Sequence, residues 1–176
     1  MILIESNNDF YLESFKDLLV QKKFFVTSDK SDKYFFKISM IFKNNKLKIT
    51  SFDKELVIKT PISFSIIFSK LNEFLINNYI SIRIFNYNPI LQSLSVNNEV
   101  CYLGIIHNQI MSNLILNLEQ GINKIKLYRL IWPNDKDIHI NKLDTHITNL
   151  KNKISDDLSV KLNFTSNVGN LILVID

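Results

Sequence analysis

Between Asn141 and Ser155 the apolar residues Leu143, Ile147, Leu150 and Ile154 recur at i, i+4, i+7 and i+11. That spacing makes one stripe of an α-helix. Off the stripe stand Lys142, Thr145, Thr148, Asn149, Asn152 and Lys153. These are short polar or cationic side chains of the kind that meet base edges and phosphates. Such a helix buries one face and leaves the other free, so it has to pack on neighbouring elements.

Two further helices precede it, over about Ile105–Gln120 and Ile122–Ile131, and Gly121 stands where the first should end. After it, Val160–Thr165 and Leu171–Ile175 read as strands joined by Ser166–Asn170, with Gly169 in the turn. Before it, Ile90–Val96 and Glu99–Leu103 form a hairpin around Asn97-Asn98. Two strands, three helices and a terminal hairpin are the order of a winged helix-turn-helix. In that arrangement the third helix lies in the major groove and the hairpin reaches the adjacent backbone or minor groove.

Charge supports this reading only locally. The 176-residue chain has a net charge of +4, no alanine, and only Arg83 and Arg129 as arginines. Its Ile, Asn and Lys richness is that of an AT-rich coding sequence, so the lysine excess alone is not a functional signal. From Lys124 to Lys153, however, seven cations (Lys124, Lys126, Arg129, Lys136, Lys142, Lys151, Lys153) face three acids (Asp135, Asp137, Asp144), a balance of +4.

The segment NKIKLYRLIWPNDKDIHINKLDTHITNLKNKI resembles the effector domain of OmpR/PhoB-type winged-helix response regulators. Leu127, Ile131 and Trp132 match that family's Leu-x-x-x-hydrophobic-Trp helix. Leu143, Asp144, His146, Ile147, Leu150, Lys151 and Lys153 match its recognition helix, and Gly169 its terminal hairpin. The match covers about Leu103–Asp176. It implies a DNA interface of Lys124, Lys126, Lys142, Thr145, His146, Thr148, Asn149, Lys151, Asn152 and Lys153, with Ser166 and Asn167 in the wing. Asn149 and Ser166 replace family arginines, so bidentate contacts to guanine are missing. Asn149 suits adenine N6/N7 instead, and affinity leans on salt-sensitive phosphate contacts. His146 has two readings, a phosphate contact or a half-buried residue beside Trp132.

The N-terminal half reads as a second small domain, with the boundary at Asn86–Pro89: residues 1–86, then 87–176. Its expected elements are a strand at Ile2–Ile4, an amphipathic helix to about Lys22 with Phe10, Phe15, Leu18 and Leu19 on its buried face, and strands at Phe24–Thr27, Phe35–Phe42, Leu47–Thr50 and Leu56–Ile58. A helix from Pro61 follows, with Ile62, Ile66, Ile67, Leu71, Phe74 and Leu75 on its buried face, and then a strand at Ile80–Phe85. The opening β-α-β and the Lys59-Thr60-Pro61 segment resemble a response-regulator receiver domain. A working receiver needs an acidic pair for Mg²⁺ and an acceptor Asp. Here Ser6, Asn7 and Asn8 fill the first place, Asp53 lies beyond a hairpin, and Thr60 stands where the phosphoryl-contacting lysine belongs. The expectation is a shortened, degenerate receiver-like domain that is not phosphorylated. Its last helix, within residues 61–76, is the candidate homodimer contact.

The fold class expected is thus α/β plus α+β, a small receiver-like α/β domain followed by a winged helix-turn-helix. The function expected is a DNA-binding transcription regulator, with RNA polymerase as a candidate partner. The alternative is a protein-interaction adaptor that keeps the winged helix without binding DNA. No enzyme is expected, since the only glycines are Gly104, Gly121 and Gly169 and no phosphate-cradling loop can be built from them. Cys101 is expected to be a packed core thiol and allows no disulfide within the chain. His107 and His139 lack a second ligand at metal spacing, so neither metal nor cofactor is expected. The acidic start MILIESNNDF lacks a signal-peptide pattern, and cytoplasmic residence is the expectation.

Overall fold

The computed structural model describes residues 2–21, 26–30, 32–51, 54–77, 79–167 and 169–174. It divides into two compact units, Met1–Asn78 and Tyr79–Asp176.

In the first unit, β1 (Ile2–Ser6), β2 (Val26–Thr27), β3 (Phe36–Lys43), β4 (Lys46–Ser51) and β5 (Lys54–Lys59) make one sheet in the order β2-β1-β3-β4-β5. That is the strand order of a doubly wound sheet. However, only β2 and β3 pair with β1 in parallel, while β4 runs antiparallel between β3 and β5. The reason is local. Asn44 and Asn45 both take positive φ, the geometry of a two-residue hairpin turn, so β3 returns at once as β4 and leaves no room for a crossover helix.

Helix α1 (Asp9–Gln21) follows β1 and α2 (Phe64–Ile76) follows β5. Phe15 and Leu19 of α1 are buried, Leu18 is half-buried, and Phe10, expected on the buried face, is 73% exposed. Helix α2 begins three residues after Pro61, with Ser63 as its cap. Ile67, Leu71 and Leu75 carry its contact, whereas Ile66 is exposed and Ile62 precedes the helix. Lys22, Phe24 and Phe25, which the expected elements included, lie outside the described residues, as does Asp53.

The second unit opens with β6 (Ile80–Ile82), β7 (Phe85–Asn88), β8 (Ser93–Val96) and β9 (Glu99–Tyr102), an antiparallel sheet in chain order. The segment Ile80–Phe85, expected as one strand of the first domain, is broken by a turn at Arg83, whose φ is +51°. Both pieces join this sheet, so the division falls at Asn78/Tyr79 and Asn86–Pro89 lies inside the second unit. Ile90 and Leu91 turn rather than extend, because the Asn88 Oδ1 accepts from both of their backbone N–H groups.

Helices α3 (Ile105–Leu116), α4 (Lys124–Ile131) and α5 (Ile140–Leu158) follow, and all three touch one another. Two more strands, β11 (Asn163–Asn167) and β12 (Asn170–Val174), flank a tight turn. A short strand, β10 (Ile122–Asn123), occupies what was expected as the first turn of the second helix and pairs with β12. The hairpin is therefore a three-stranded sheet, β10-β12-β11. Among the described residues no helix is long and apolar enough to cross a membrane.

Candidate nucleic-acid interface

Helix α5 is set by its apolar stripe. Leu143, Ile147, Leu150, Ile154 and Leu158 are all buried. Their burial supplies roughly 8–15 kcal/mol before conformational entropy is subtracted, far more than the intrinsic preference of an Asn/Thr/Lys-rich helix. The helix runs to Leu158, three residues further than the sequence suggests, and Ser159 caps it in the left-handed conformation (φ 55°).

Opposite the stripe, Asn141, Thr145, Thr148, Asn149 and Asn152 are exposed. At 100° per residue they share one face. The Thr145 hydroxyl donates to the Asn141 carbonyl at 2.8 Å, and the Thr148 hydroxyl to the Asp144 carbonyl at 3.0 Å. Each hydroxyl thereby commits its proton to the helix and turns lone pairs and a methyl group outward. That leaves a strip of acceptors, methyls and carboxamides without a cation in it, while the lysines line its two sides.

Those flanking lysines are already engaged. Lys124 lies 2.7 Å from Asp144, Lys142 3.0 Å from Asp135 and Lys153 2.9 Å from Asp157. Lys142 also sits 4.3 Å from the centre of the Trp132 ring, and Lys151 lies 5.7 Å from the Phe164 ring on β11. Exposed ion pairs are worth about 0–1 kcal/mol, so a phosphate can displace the carboxylates at small cost. Lys126 is exposed near the start of α4.

The hairpin is fastened to this frame. Asn123 caps α4 by accepting from the N–H groups of Ile125 and Lys126, and pairs with Asn170 as the last residue of β10. The Lys124 N–H donates to the Gly169 carbonyl at 3.1 Å. Gly121 permits the approach. Its φ is +69°, and a Cβ there would lie 2.6 Å from the Ile172 Cγ1 and 2.9 Å from the Leu171 carbonyl oxygen. The tip of the hairpin thus sits beside the start of α4. Ser166 is exposed on it, while the Asn167 side chain lies outside what is described.

The turn between α4 and α5 is locked by charge. The Tyr128 hydroxyl donates to the Asp135 carboxylate at 2.6 Å, and the Arg129 guanidinium donates to the Asp135 and Lys136 carbonyls. The hydrogen bond from Tyr128, then that from Lys142, holds Asp135 below its usual carboxylate value. His146 is half-buried, 5.5 Å from Trp132 and 5.9 Å from His107 on α3, which favours its packing role over a phosphate contact. The His107–His146 approach links α3 to α5 and was not legible from spacing. Burial first, then the charges of His146 and Lys153, depress the His107 pKa. Cys101 is fully buried, and burial followed by the nearby Asp157 carboxylate pushes its thiol up to about 12.

No family model matches the sequence, and no curated protein matches it. Among solved structures, two matches each cover about half of this chain. The DNA-binding domain of Escherichia coli CadC is 11% identical, with 55% of this chain and 91% of that one covered and a TM-score of 0.47. The C-terminal domain of the nisin resistance regulator NsrR, a lantibiotic response regulator, is 24% identical, with 54% and 89% covered and a TM-score of 0.39. A streptococcal redox sensor of a family evolved from two-component response regulators is 10% identical, covers 99% of this chain and 67% of its own, and has a TM-score of 0.47.

Proposed function

We propose that this chain is a transcription regulator that binds duplex DNA, with α5 in the major groove and the β11–β12 hairpin as the wing. The observation that carries it is the exposed strip of Thr145, Thr148, Asn149 and Asn152, opposite the buried stripe of α5 and flanked by lysines. Asn149 and Asn152 pair with adenine edges, and the two threonine methyls suit the methyl group of thymine. The site is therefore A·T-rich. Lys126, Lys151 and, after exchange of their carboxylates, Lys124, Lys142 and Lys153 meet phosphates.

Regulation does not run through phosphorylation. The Asn7 side chain donates to the Phe42 carbonyl at 3.1 Å and accepts from its N–H at 3.0 Å, bridging β1 to β3. The Asn8 Oδ1 accepts from the Tyr11 N–H at the start of α1. Where a receiver would hold Mg²⁺, these side chains instead support the backbone. Homodimerisation through α2 completes the reading, with the exposed Ile66 as its apolar contact.

The adaptor reading keeps one supporting observation, the engagement of Lys124, Lys142 and Lys153 with carboxylates of the chain itself. Fluorescence anisotropy against sheared duplex at ~50 and ~200 mM salt separates the two, since phosphate-driven binding falls steeply over that range. Salt-sensitive binding with a selectable subset of fragments supports the regulator. Absence of binding at the lower salt supports the adaptor.

A further inference from the structure

The charge of this chain is distributed against expectation. Of the net +4, the second unit carries nine cations against eight carboxylates, only +1, while the first carries twelve lysines against nine carboxylates, +3. Five of these twelve lysines share one face of the sheet. Tyr11 of α1 stacks on Phe42 at 4.1 Å, and Phe15 meets Phe64 of α2 at 4.5 Å. Both helices thus lie on the sheet face that carries Phe36, Ile38, Met40, Leu47 and Ile49. On the opposite face Lys37, Ile41, Lys43, Lys46, Lys48, Val57 and Lys59 are exposed.

Two of these lysines are matched by acids of the same face. Lys37 lies 2.9 Å from Glu5, and Lys48 2.6 Å from Glu55. The other three are aligned across the sheet, since Lys43 pairs with Lys46 and Lys46 with Lys59. Among the described residues none of the three has an ion-pair partner. Directly opposed residues stand about 5 Å apart, and like charges so placed destabilise a sheet. An unrelieved row of three ammonium groups on an exposed face is a cost that a bound polyanion removes.

We propose that this face of the first unit is a second contact surface for duplex DNA, with Lys43, Lys46 and Lys59 held against phosphates. The proposal rests on the DNA-binding reading of the second unit. It adds affinity without sequence information, since duplex DNA carries one charge per ~1.7 Å and is read here through its backbone alone. It also adds cations not already engaged by carboxylates, as Lys124, Lys142 and Lys153 are.

The test uses the full chain and a random-sequence duplex, with binding measured between ~50 and ~200 mM salt. Each phosphate contact contributes about 0.9 to the slope of log K against log salt. The triple variant K43Q/K46Q/K59Q is expected to lose about 2–3 from that slope, and the triple arginine variant to keep it. The glutamine variant relieves repulsion, so its melting temperature should equal or exceed that of the parent, which separates lost contacts from lost folding. An unchanged slope, with parent and variant both binding duplex, overturns this surface and leaves the role of α5 standing. Failure of the parent to bind any duplex overturns both. Capture of poly-glutamate in place of DNA, abolished by the same variant, would reassign the face to an acidic polypeptide.

Discussion

The Lys142 ammonium lies 4.3 Å from the centre of the Trp132 indole ring, across the turn that joins α4 to α5. The same ammonium reaches Asp135, which also receives the Tyr128 hydroxyl. One lysine thereby ties the last residues of α4, the turn and the first turn of α5 together. A cation over an indole at a partly exposed site is worth about 0.5–1 kcal/mol. Lys142→Met should therefore lower stability to urea by about that amount. Lys142→Arg, which keeps the stacking, should lower it less. Equal losses for the two would assign Lys142 no part in holding the turn.

The Asp135 link has a pH signature. Its pKa is depressed by the hydrogen bond from Tyr128 and then by that from Lys142, so its contribution is complete above the ordinary carboxylate value and is lost as the pH falls through the depressed one. The stability difference between the parent and Asp135→Asn should be constant near neutrality and shrink below pH ~4. Denaturation curves at stepped pH check this, and a difference that grows on acidification would contradict it.

His107 gives a second dependence at higher pH. Its pKa is lowered by burial, and the groups facing it, His146 and Lys153, add positive charge. A depressed imidazole contributes stability that is full above its unfolded value of ~6.5 and falls as the pH drops below it. The parent should lose stability between pH 7 and 5, and His107→Gln should flatten that loss. A parent and variant with parallel profiles would show that His107 carries none of it.

The two glycines at positive φ separate backbone strain from crowding. At Gly169 an added Cβ would meet only the Asn123 Nδ2 at 3.7 Å, so Gly169→Ala should cost about 1–2 kcal/mol, the strain of the left-handed region alone. At Gly121 the same strain is joined by contacts of 2.6 Å to Ile172 and 2.9 Å to the Leu171 carbonyl. Gly121→Ala should cost distinctly more, at least about 3 kcal/mol, measured by chemical denaturation. Equal costs at the two sites would mean that β12 yields easily.

Within the second unit, what the residues alone convey differs from element to element. Helix α5 was legible because Leu143, Ile147, Leu150 and Ile154 obey one period and all are buried. The wing was legible from Gly169 and two short apolar runs. In the four-stranded sheet the β8–β9 hairpin was legible from Asn97-Asn98, but the β6–β7 half was not, because Arg83 takes a positive φ in mid-run and no glycine or asparagine marks the turn. Strand β10 is two residues long and depends on pairing with β12, which no local pattern announces. Among the site residues, the positions of Thr145, Thr148, Asn149 and Asn152 follow from helical geometry. The engagement of Lys124, Lys142 and Lys153 does not, since it depends on where Asp135, Asp144 and Asp157 fall in space. Tyr87 was also missed. Its hydroxyl meets the Asn108 Oδ1 and the Ser112 Oγ at 2.6 Å each, a buried network joining β7 to α3, and a lone tyrosine in a strand does not reveal it.

The central claim is that α5 reads DNA through its carboxamides and holds it through its flanking lysines. The most direct measurement compares Asn149→Ala and Lys151→Ala for binding to a selected A·T-rich duplex and to a scrambled one. Asn149→Ala should narrow the gap between the two duplexes, by about 1–3 kcal/mol for a bidentate adenine contact. Lys151→Ala should weaken both about equally and reduce the salt slope by about 1. If neither substitution changes binding to either duplex, α5 does not enter the groove and the account fails.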